Sequence, residues 1–163
     1  MIDFVEGSIL PPPPAARVER LQDEFAQRFP PAYLEFLQAS NGGKIVRNAV
    51  EAGSQPFVIE RFLPIVGDIK ADPDGWADVA VVVTQLDARL VEDEDKLGVP
   101  LVPIASLFAG DFLVLDYRRG ATEPSVARWD HEASVDLAPV ADEVAPSFAA
   151  FLKLLDGPAA TVP

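Results

Sequence analysis

The sequence predicts an α+β fold in which an antiparallel-dominated sheet of about four to six strands is flanked by two N-terminal helices and one C-terminal helix. Apolar residues recur at helical spacing near both ends of the chain, and short apolar runs bounded by turn residues lie between them. With 163 residues, of which 49% are hydrophobic, the chain has enough apolar side chains for the core of one domain. We expect its core at 15–155, with a proline-rich arm at 1–14 and a tail at 157–163.

Two amphipathic helices are predicted in the N-terminal part. The first follows the Pro11–Pro14 segment and ends at Pro30-Pro31. Its apolar face has offsets of three, seven and eleven residues and consists of Val18, Leu21, Phe25 and Phe29. Pro31 is suited to begin the second helix, because a proline at the first helical position loses no N–H that the helix needs. The Ser40–Gly43 turn ends this second helix.

The strand candidates are short apolar runs with turn residues between them: Lys44–Val50, Pro56–Pro64, Leu101–Ile104, Asp111–Tyr117 and Ser125–Asp130. The fourth is apolar on both faces, which is typical of a central strand, and the fifth can pair with it as a hairpin. In the second, alternation predicts that Phe57, Ile59 and Leu63 share one face and that Phe62 lies on the other.

The segment between residues 68 and 95 is predicted to contain a turn followed by a helix. Asp72-Pro-Asp-Gly75 is a turn signal, and apolar residues then recur at helical spacing at Val79, Val82, Val83, Leu86 and Leu90. The β-branched residues leave a strand as the alternative. We favour a helix because the apolar set is too long for a strand.

The last predicted helix begins at Pro146-Ser147, and its apolar stripe consists of Phe148, Phe151, Leu152 and Leu155. We expect this helix to pack on the sheet, with one set of residues buried together: Leu113, Leu115, Trp129, Phe148 and Leu152. The second tryptophan, Trp76, lies in the polar middle segment and could be exposed.

Two blocks of the chain resemble the SUKH superfamily, one of whose namesakes is a yeast cell-wall assembly regulator. The first is the Phe-Pro-Pro-Ala-Tyr-Leu-Glu-Phe-Leu-Gln-Ala-Ser-Asn-Gly-Gly run at 29–43. The second is the progression of Pro-Ile at 103–104, Gly-Asp at 110–111, Leu-Asp at 115–116 and Trp-Asp-His-Glu at 129–132. The resemblance implies a helix packed against the sheet. It also implies that many bacterial members are immunity proteins, which bind and neutralise a polymorphic toxin.

The charge of the chain excludes some partners and favours others. Thirteen basic against 26 acidic side chains give a formal net charge of −13. Such a surface repels nucleic acids and anionic membranes, because both are bound largely through lysine and arginine. It favours a basic protein partner. The chain has no cysteine, and we see no signal peptide or membrane-spanning run, so we expect a soluble, cytoplasmic protein.

The middle segment contains more than half of this negative charge. Nine acidic residues lie between positions 68 and 95, against Lys70 and Arg89. The segment is also longer than the connection that the SUKH pattern implies. A solvated charged face is one interpretation. The other is a surface for a basic toxin, and it predicts six partner-binding residues: Asp72, Asp74, Glu92, Asp93, Glu94 and Asp95.

The residues give little indication of catalysis, a cofactor or a metal. His131 is the only histidine, and it could act as a general base oriented by Asp130 or Asp111, although no serine lies in a nucleophile-elbow pattern. The Asp72–Gly75 turn is not a calcium loop, because its register would put Lys70 at the first ligand position. We therefore predict no catalytic, cofactor-binding or metal-binding residues.

Three functions remain open. The first is a non-enzymatic immunity protein that neutralises a toxin through its acidic surface. The second is a regulatory or scaffold module of the same fold with an endogenous partner, and the third is a small hydrolase that uses His131. The oligomeric state stays open.

Overall fold

The computed structural model describes residues 1–120 and 122–157. These residues form four α-helices, α1 (Ala15–Phe25), α2 (Pro31–Ser40), α3 (Val79–Leu86) and α4 (Phe148–Asp156). They also form six strands, β1 (Ala49–Val50), β2 (Phe57–Phe62), β3 (Leu101–Leu107), β4 (Phe112–Asp116), β5 (Ser125–Trp129) and β6 (Ala141–Ala145). Most of the predicted 157–163 tail lies outside the described residues.

The six strands make one antiparallel sheet in the order β1-β2-β3-β4-β5-β6, so each strand pairs with its neighbours in sequence. The sheet curls, and Gly53 in the β1–β2 loop lies against the β6 backbone at Glu143. Two helices precede the sheet and one follows it. The predicted α+β class is confirmed.

The first helix is shorter than predicted. Ala26 adopts a left-handed conformation with φ of 54°, and its N–H donates to the carbonyls of Asp23 and Gln22, which ends α1 at Phe25. Phe29 therefore lies in the link between the helices, where its N–H donates to Gln22 Oε1 at 2.9 Å. Its ring remains buried. Pro31 begins α2, as predicted.

Strand β2 contains a register shift that the alternation rule could not predict. The pairing with β3 shifts between Ile59 and Arg61, and such a bulge turns the following residues to the opposite face. Phe62, which pairs with Ala105 as Ile59 pairs with Leu107, therefore lies on the same face as Ile59 and is 1% exposed. Its ring packs on Phe36 of α2, with centroids 4.6 Å apart. The predicted opposition of Phe57 and Phe62 was wrong for this reason.

Other strand boundaries also differ from the prediction. Only Ala49–Val50 of the Lys44–Val50 run is a strand, while Ile45 forms an isolated bridge with Phe4. β3 continues to Leu107, past the predicted end. β6 was not predicted, because Ala141–Ala145 has no apolar alternation and forms a strand through its pairing with β5.

The sheet has helices on both faces. Phe36 of α2 packs between Phe62 of β2 and Phe148 of α4. The opposite face bears Phe112 and Trp129, which pair across β4 and β5, and Trp129 donates its indole N–H to the carbonyl of Arg89 after α3. Leu113, Leu115, Trp129 and Phe148 are buried, and Leu152 is half-buried. The prediction that Trp129 packs against the C-terminal helix was wrong, because Trp129 pairs with Phe112 on the face opposite Phe148.

The predicted middle helix is confirmed as α3, which ends at Leu86 and is followed by a 3₁₀ turn, Asp87–Leu90. Over the residues that the structure describes, no helix is both long enough and apolar enough to span a membrane.

Candidate partner-binding site

The start of the middle segment is held in place by a buried carboxylate, Asp78, which is 0% exposed. Its Oδ1 accepts hydrogen bonds from the Ala80 N–H at 2.8 Å and from Arg17 Nη2 at 3.1 Å. Its Oδ2 accepts from the Val66 N–H at 2.9 Å. A buried charge is stable only when it is paired and hydrogen-bonded, and these contacts join α1, α3 and the chain before the turn.

The Asp72–Gly75 turn is packed tightly onto the preceding residues. The Asp72 carboxylate accepts from the Asp74 N–H at 2.9 Å. A Cβ atom on Gly75 would lie 2.0 Å from the Ile69 carbonyl oxygen, so only glycine fits at this position. The following residue, Trp76, lies between buried Gly75 and Ala77 but is itself 67% exposed. Trp76 is therefore exposed, which the sequence had left open.

Arg61 of β2 lies beneath the exposed tryptophan. Its Nη1 donates to Asp74 Oδ1 at 3.1 Å and its Nη2 to the Gly42 carbonyl at 3.2 Å. Its guanidinium carbon is 5.9 Å from the centroid of the Trp76 ring, within the range of a cation–π contact. Gly42 has a φ of +68°, and a Cβ there would lie 2.9 Å from Pro64 Cβ. The Asn-Gly-Gly turn therefore makes room for the guanidinium.

A cleft of about 380 Å³ opens beside Arg61 and Trp76. Its apolar walls come from β2, β3, the start of β4 and α3, and they include Leu63, Val82, Leu107 and Phe112. Lys44 and Glu60 also line it. Phe108 directly follows Leu107, which lines the cleft. It lies in the 3₁₀ turn after β3 and is 70% exposed. This region, the cleft together with Trp76 and Phe108, is named the Trp76 cleft below.

The six predicted acidic residues fall into two groups. Asp72 and Asp74 belong to the turn that presents Trp76, where Asp74 is paired with Arg61. Glu92, Asp93, Glu94 and Asp95 lie in the loop before β3 and are exposed.

Within this loop, Glu92 pairs with Arg118 at 3.3 Å. Arg118 also pairs with Asp116 at 3.0 Å, and the hydrogen bond that its side chain donates to Asp116 is the main cause that raises the pKa of Arg118. Asp93, Glu94 and Asp95 form no ion pair among the described residues. They are the part of the loop that is available to a basic partner.

His131 lies next to Asp111, the second of its two predicted partners. Asp111 Oδ1 accepts from the His131 backbone N–H at 3.0 Å and is 3.8 Å from Nδ1 of the ring. The Asp111 Oδ2 atom accepts from Arg128 at 2.8 Å, so this carboxylate already has an ionic partner. Asp130 instead accepts from the N–H groups of Glu132 and Ala133. In the described part of the chain, no group of three or more acidic or histidine side chains could hold a metal ion.

Arg61 and Phe108 were not predicted as site residues from the sequence. Arg61 lies beside Glu60 in a strand whose other residues are apolar, which was one available signal. Phe108 follows β3 immediately before the Ala109-Gly110 turn, where a large aromatic side chain has little to cover it.

A family model described as the SMI1 / KNR4 family (SUKH-1) matches residues 12–154, which is most of the chain. The chain belongs to this family. The match confirms the SUKH resemblance, and SUKH domains are generally non-enzymatic modules of immunity or regulation that act through protein–protein interaction. Searches among curated proteins and among solved structures gave no match.

Proposed function

We propose that this SUKH-1 domain is an immunity protein of a bacterial toxin system. It binds a basic toxin domain in the cytoplasm and neutralises it without catalysis. The observation that supports this proposal best is an acidic excess that the domain's own basic residues do not balance. Six arginines are already ion-paired within the domain: Arg17, Arg28, Arg61, Arg118, Arg119 and Arg128.

The excess of acidic residues can attract a toxin domain that has a basic surface. Toxins that act on nucleic acids have basic surfaces, since they must bind phosphates. An acidic domain attracts such a surface from a distance, raises the association rate and competes with the nucleic acid for the same site. We assign this role to the six predicted residues: Asp72, Asp74, Glu92, Asp93, Glu94 and Asp95.

The exposed loop is the main element of this steering. Asp93–Asp95 lie on the surface without ionic partners among the described residues, so their field reaches about 8–10 Å at physiological salt. Asp74 has a second role in addition, because its pairing with Arg61 fixes the Trp76 turn. Loops are free to diverge toward a partner while the sheet preserves the fold.

The test is co-expression of this domain with the toxin domain that the proposal places in a neighbouring gene. We expect restored growth and a complex that co-elutes in size-exclusion chromatography. A toxin domain inactivated in its active site serves as the control for expression. If growth is not restored and no complex forms, the immunity proposal is wrong, and the regulatory module with an endogenous partner becomes the better proposal.

A further inference from the structure

We propose that the Trp76 cleft is the anchor point of the partner interface, and that it accepts an apolar side chain bordered by lysine or arginine on the partner. This inference rests on the proposed function in one respect, namely that the partner is a basic protein. It goes further by separating the residues that attract the partner from the residues that hold it.

The exposure of two large aromatic side chains is the first observation. Trp76 is 67% exposed and Phe108 is 70% exposed, and both belong to 3₁₀ turns close to the cleft. Buried tryptophan and arginine side chains dominate the binding energy of protein interfaces. Here Trp76 and Arg61 are already in contact, with 5.9 Å between the guanidinium carbon and the ring centroid.

The tight packing of the turn that bears Trp76 is the second observation. Gly75 is packed against the Ile69 carbonyl so closely that no Cβ fits. Asp78, two residues after Trp76, has the three hydrogen bonds described above. A side chain presented by such a turn loses little conformational entropy on binding, and this preorganisation strengthens the complex.

The shape of the cleft indicates an apolar occupant. Its walls are largely apolar, and its volume of about 380 Å³ lies within the roughly 300–1,000 Å³ of ligand pockets. An anionic occupant is disfavoured because it would compete with Asp74 for Arg61. The Nε atom of Arg61 is fully buried, so it is not accessible to an anion from the cleft.

The charges at the rim indicate a basic border around that apolar side chain. Lys44 and Glu60 line the cleft and have no ion-pair partner in the described part of the chain. Asp72 lies in the adjacent turn and also lacks an ionic partner there, whereas Asp111 is neutralised by Arg128. Two unpaired acids against one lysine leave the rim negative, which complements lysine or arginine.

A direct test uses short capped peptides as probes, followed through the indole N–H signal of Trp76 in NMR spectra. The peptides are Lys-Leu-Leu-Lys, Lys-Ser-Ser-Lys and Glu-Leu-Leu-Glu, at up to about 5 mM, a few times the ~1 mM Kd of a weak site. We expect a saturable shift with the first peptide alone. Equal shifts with the serine peptide, stronger binding of the glutamate peptide, or no shift with any peptide would overturn the proposal.

A second test measures dissociation from the neighbouring toxin domain by surface plasmon resonance. Trp76→Ala combined with Phe108→Ser should raise the dissociation rate about tenfold or more. Leu154→Ala is the matched control, because Leu154 is 48% exposed on α4 and does not line the cleft, and we expect no change.

The folded state of each variant is checked by the fluorescence of Trp129, which is fully buried. If the wild-type domain binds the toxin tightly and the double variant dissociates at the same rate, the cleft is not the anchor point. The immunity function would then still stand. If the wild-type domain does not bind the toxin, the immunity function fails, and the peptide experiment still decides whether the cleft is an apolar anchor site.

Discussion

The two tyrosines of this chain form a natural pair for testing how burial and hydrogen bonding set its stability. Tyr33 is 1% exposed, and its hydroxyl has no hydrogen-bond partner among the described residues. Tyr117 instead donates its hydroxyl to the Arg28 carbonyl at 2.8 Å. Because a buried hydroxyl without a partner costs about 1–3 kcal/mol, Tyr33→Phe should leave the free energy of unfolding unchanged or raise it by up to about 2 kcal/mol.

The ring contacts of Tyr33 survive this substitution. Its ring meets Phe29 and Phe148 edge-to-face, each at 5.3 Å between centroids, and a phenylalanine ring can make the same contacts. Tyr117→Phe is the matched control. It removes a formed hydrogen bond and should cost about 1 kcal/mol.

The pH dependence gives the same experiment a second outcome. Burial raises the pKa of both hydroxyl groups above the ordinary value of 10. Above pH 10 the unfolded chain therefore releases protons that the folded chain retains. The contribution of each tyrosine to stability is fully present below about pH 10 and is lost as the pH rises further. For each tyrosine the loss between pH 8 and pH 11 is about 1.4 kcal/mol.

The assay is urea unfolding of wild type and both single variants at these two pH values. The difference in the free energy of unfolding between wild type and Tyr33→Phe should change by about 1.4 kcal/mol from pH 8 to pH 11, in favour of the variant. Lysine titration is common to all three proteins and cancels in the difference. A loss of more than about 1 kcal/mol for Tyr33→Phe at pH 8 would show that its hydroxyl is bonded after all. If this difference in the free energy of unfolding does not change with pH, burial does not raise the pKa of Tyr33.

Three further predictions concern the core, the turn and the loop. Phe148→Ala should lower the free energy of unfolding by about 3–5 kcal/mol, because it removes a fully buried ring, and a loss below 1 kcal/mol in urea unfolding would contradict this. Asp78→Ala should cost about 3–5 kcal/mol in the same assay, because it leaves the largely covered Arg17 side chain without its ionic partner, and a neutral effect would refute the assigned role. Neutralising Glu92–Asp95 to amides should slow association with the toxin and flatten its salt dependence with little change in stability, and an unchanged rate at low salt would place the interface elsewhere.

The sequence predicted those parts of the fold that follow from local patterns. The helical spacing in α3 and α4 and the proline at the start of α2 were sufficient to place these elements. β6 has no such pattern, because Ala141–Ala145 is a short edge strand whose order depends on pairing with β5. The register shift after Ile59 also depends on a neighbouring strand, since it concerns the pairing of β2 with β3.

The candidate site was less accessible from the sequence for a related reason. Its acidic residues were proposed from charge alone and stay a prediction, and Trp76 stood out as an aromatic residue in a polar turn. Arg61 lies fifteen positions earlier and meets Trp76 only because β2 and the Gly75–Ala77 turn are adjacent in the folded chain. Tertiary contacts of this kind have no local signal.

The central claim is that this domain neutralises a basic toxin by binding it, and the most direct measurement is a titration of the toxin's activity. The purified toxin domain from the neighbouring gene is assayed on its own substrate while increasing amounts of this domain are added. We expect that the toxin's activity falls linearly and is abolished near one equivalent, with the midpoint shifting to higher concentration as salt is raised. Full toxin activity in the presence of a large excess of the domain would contradict it.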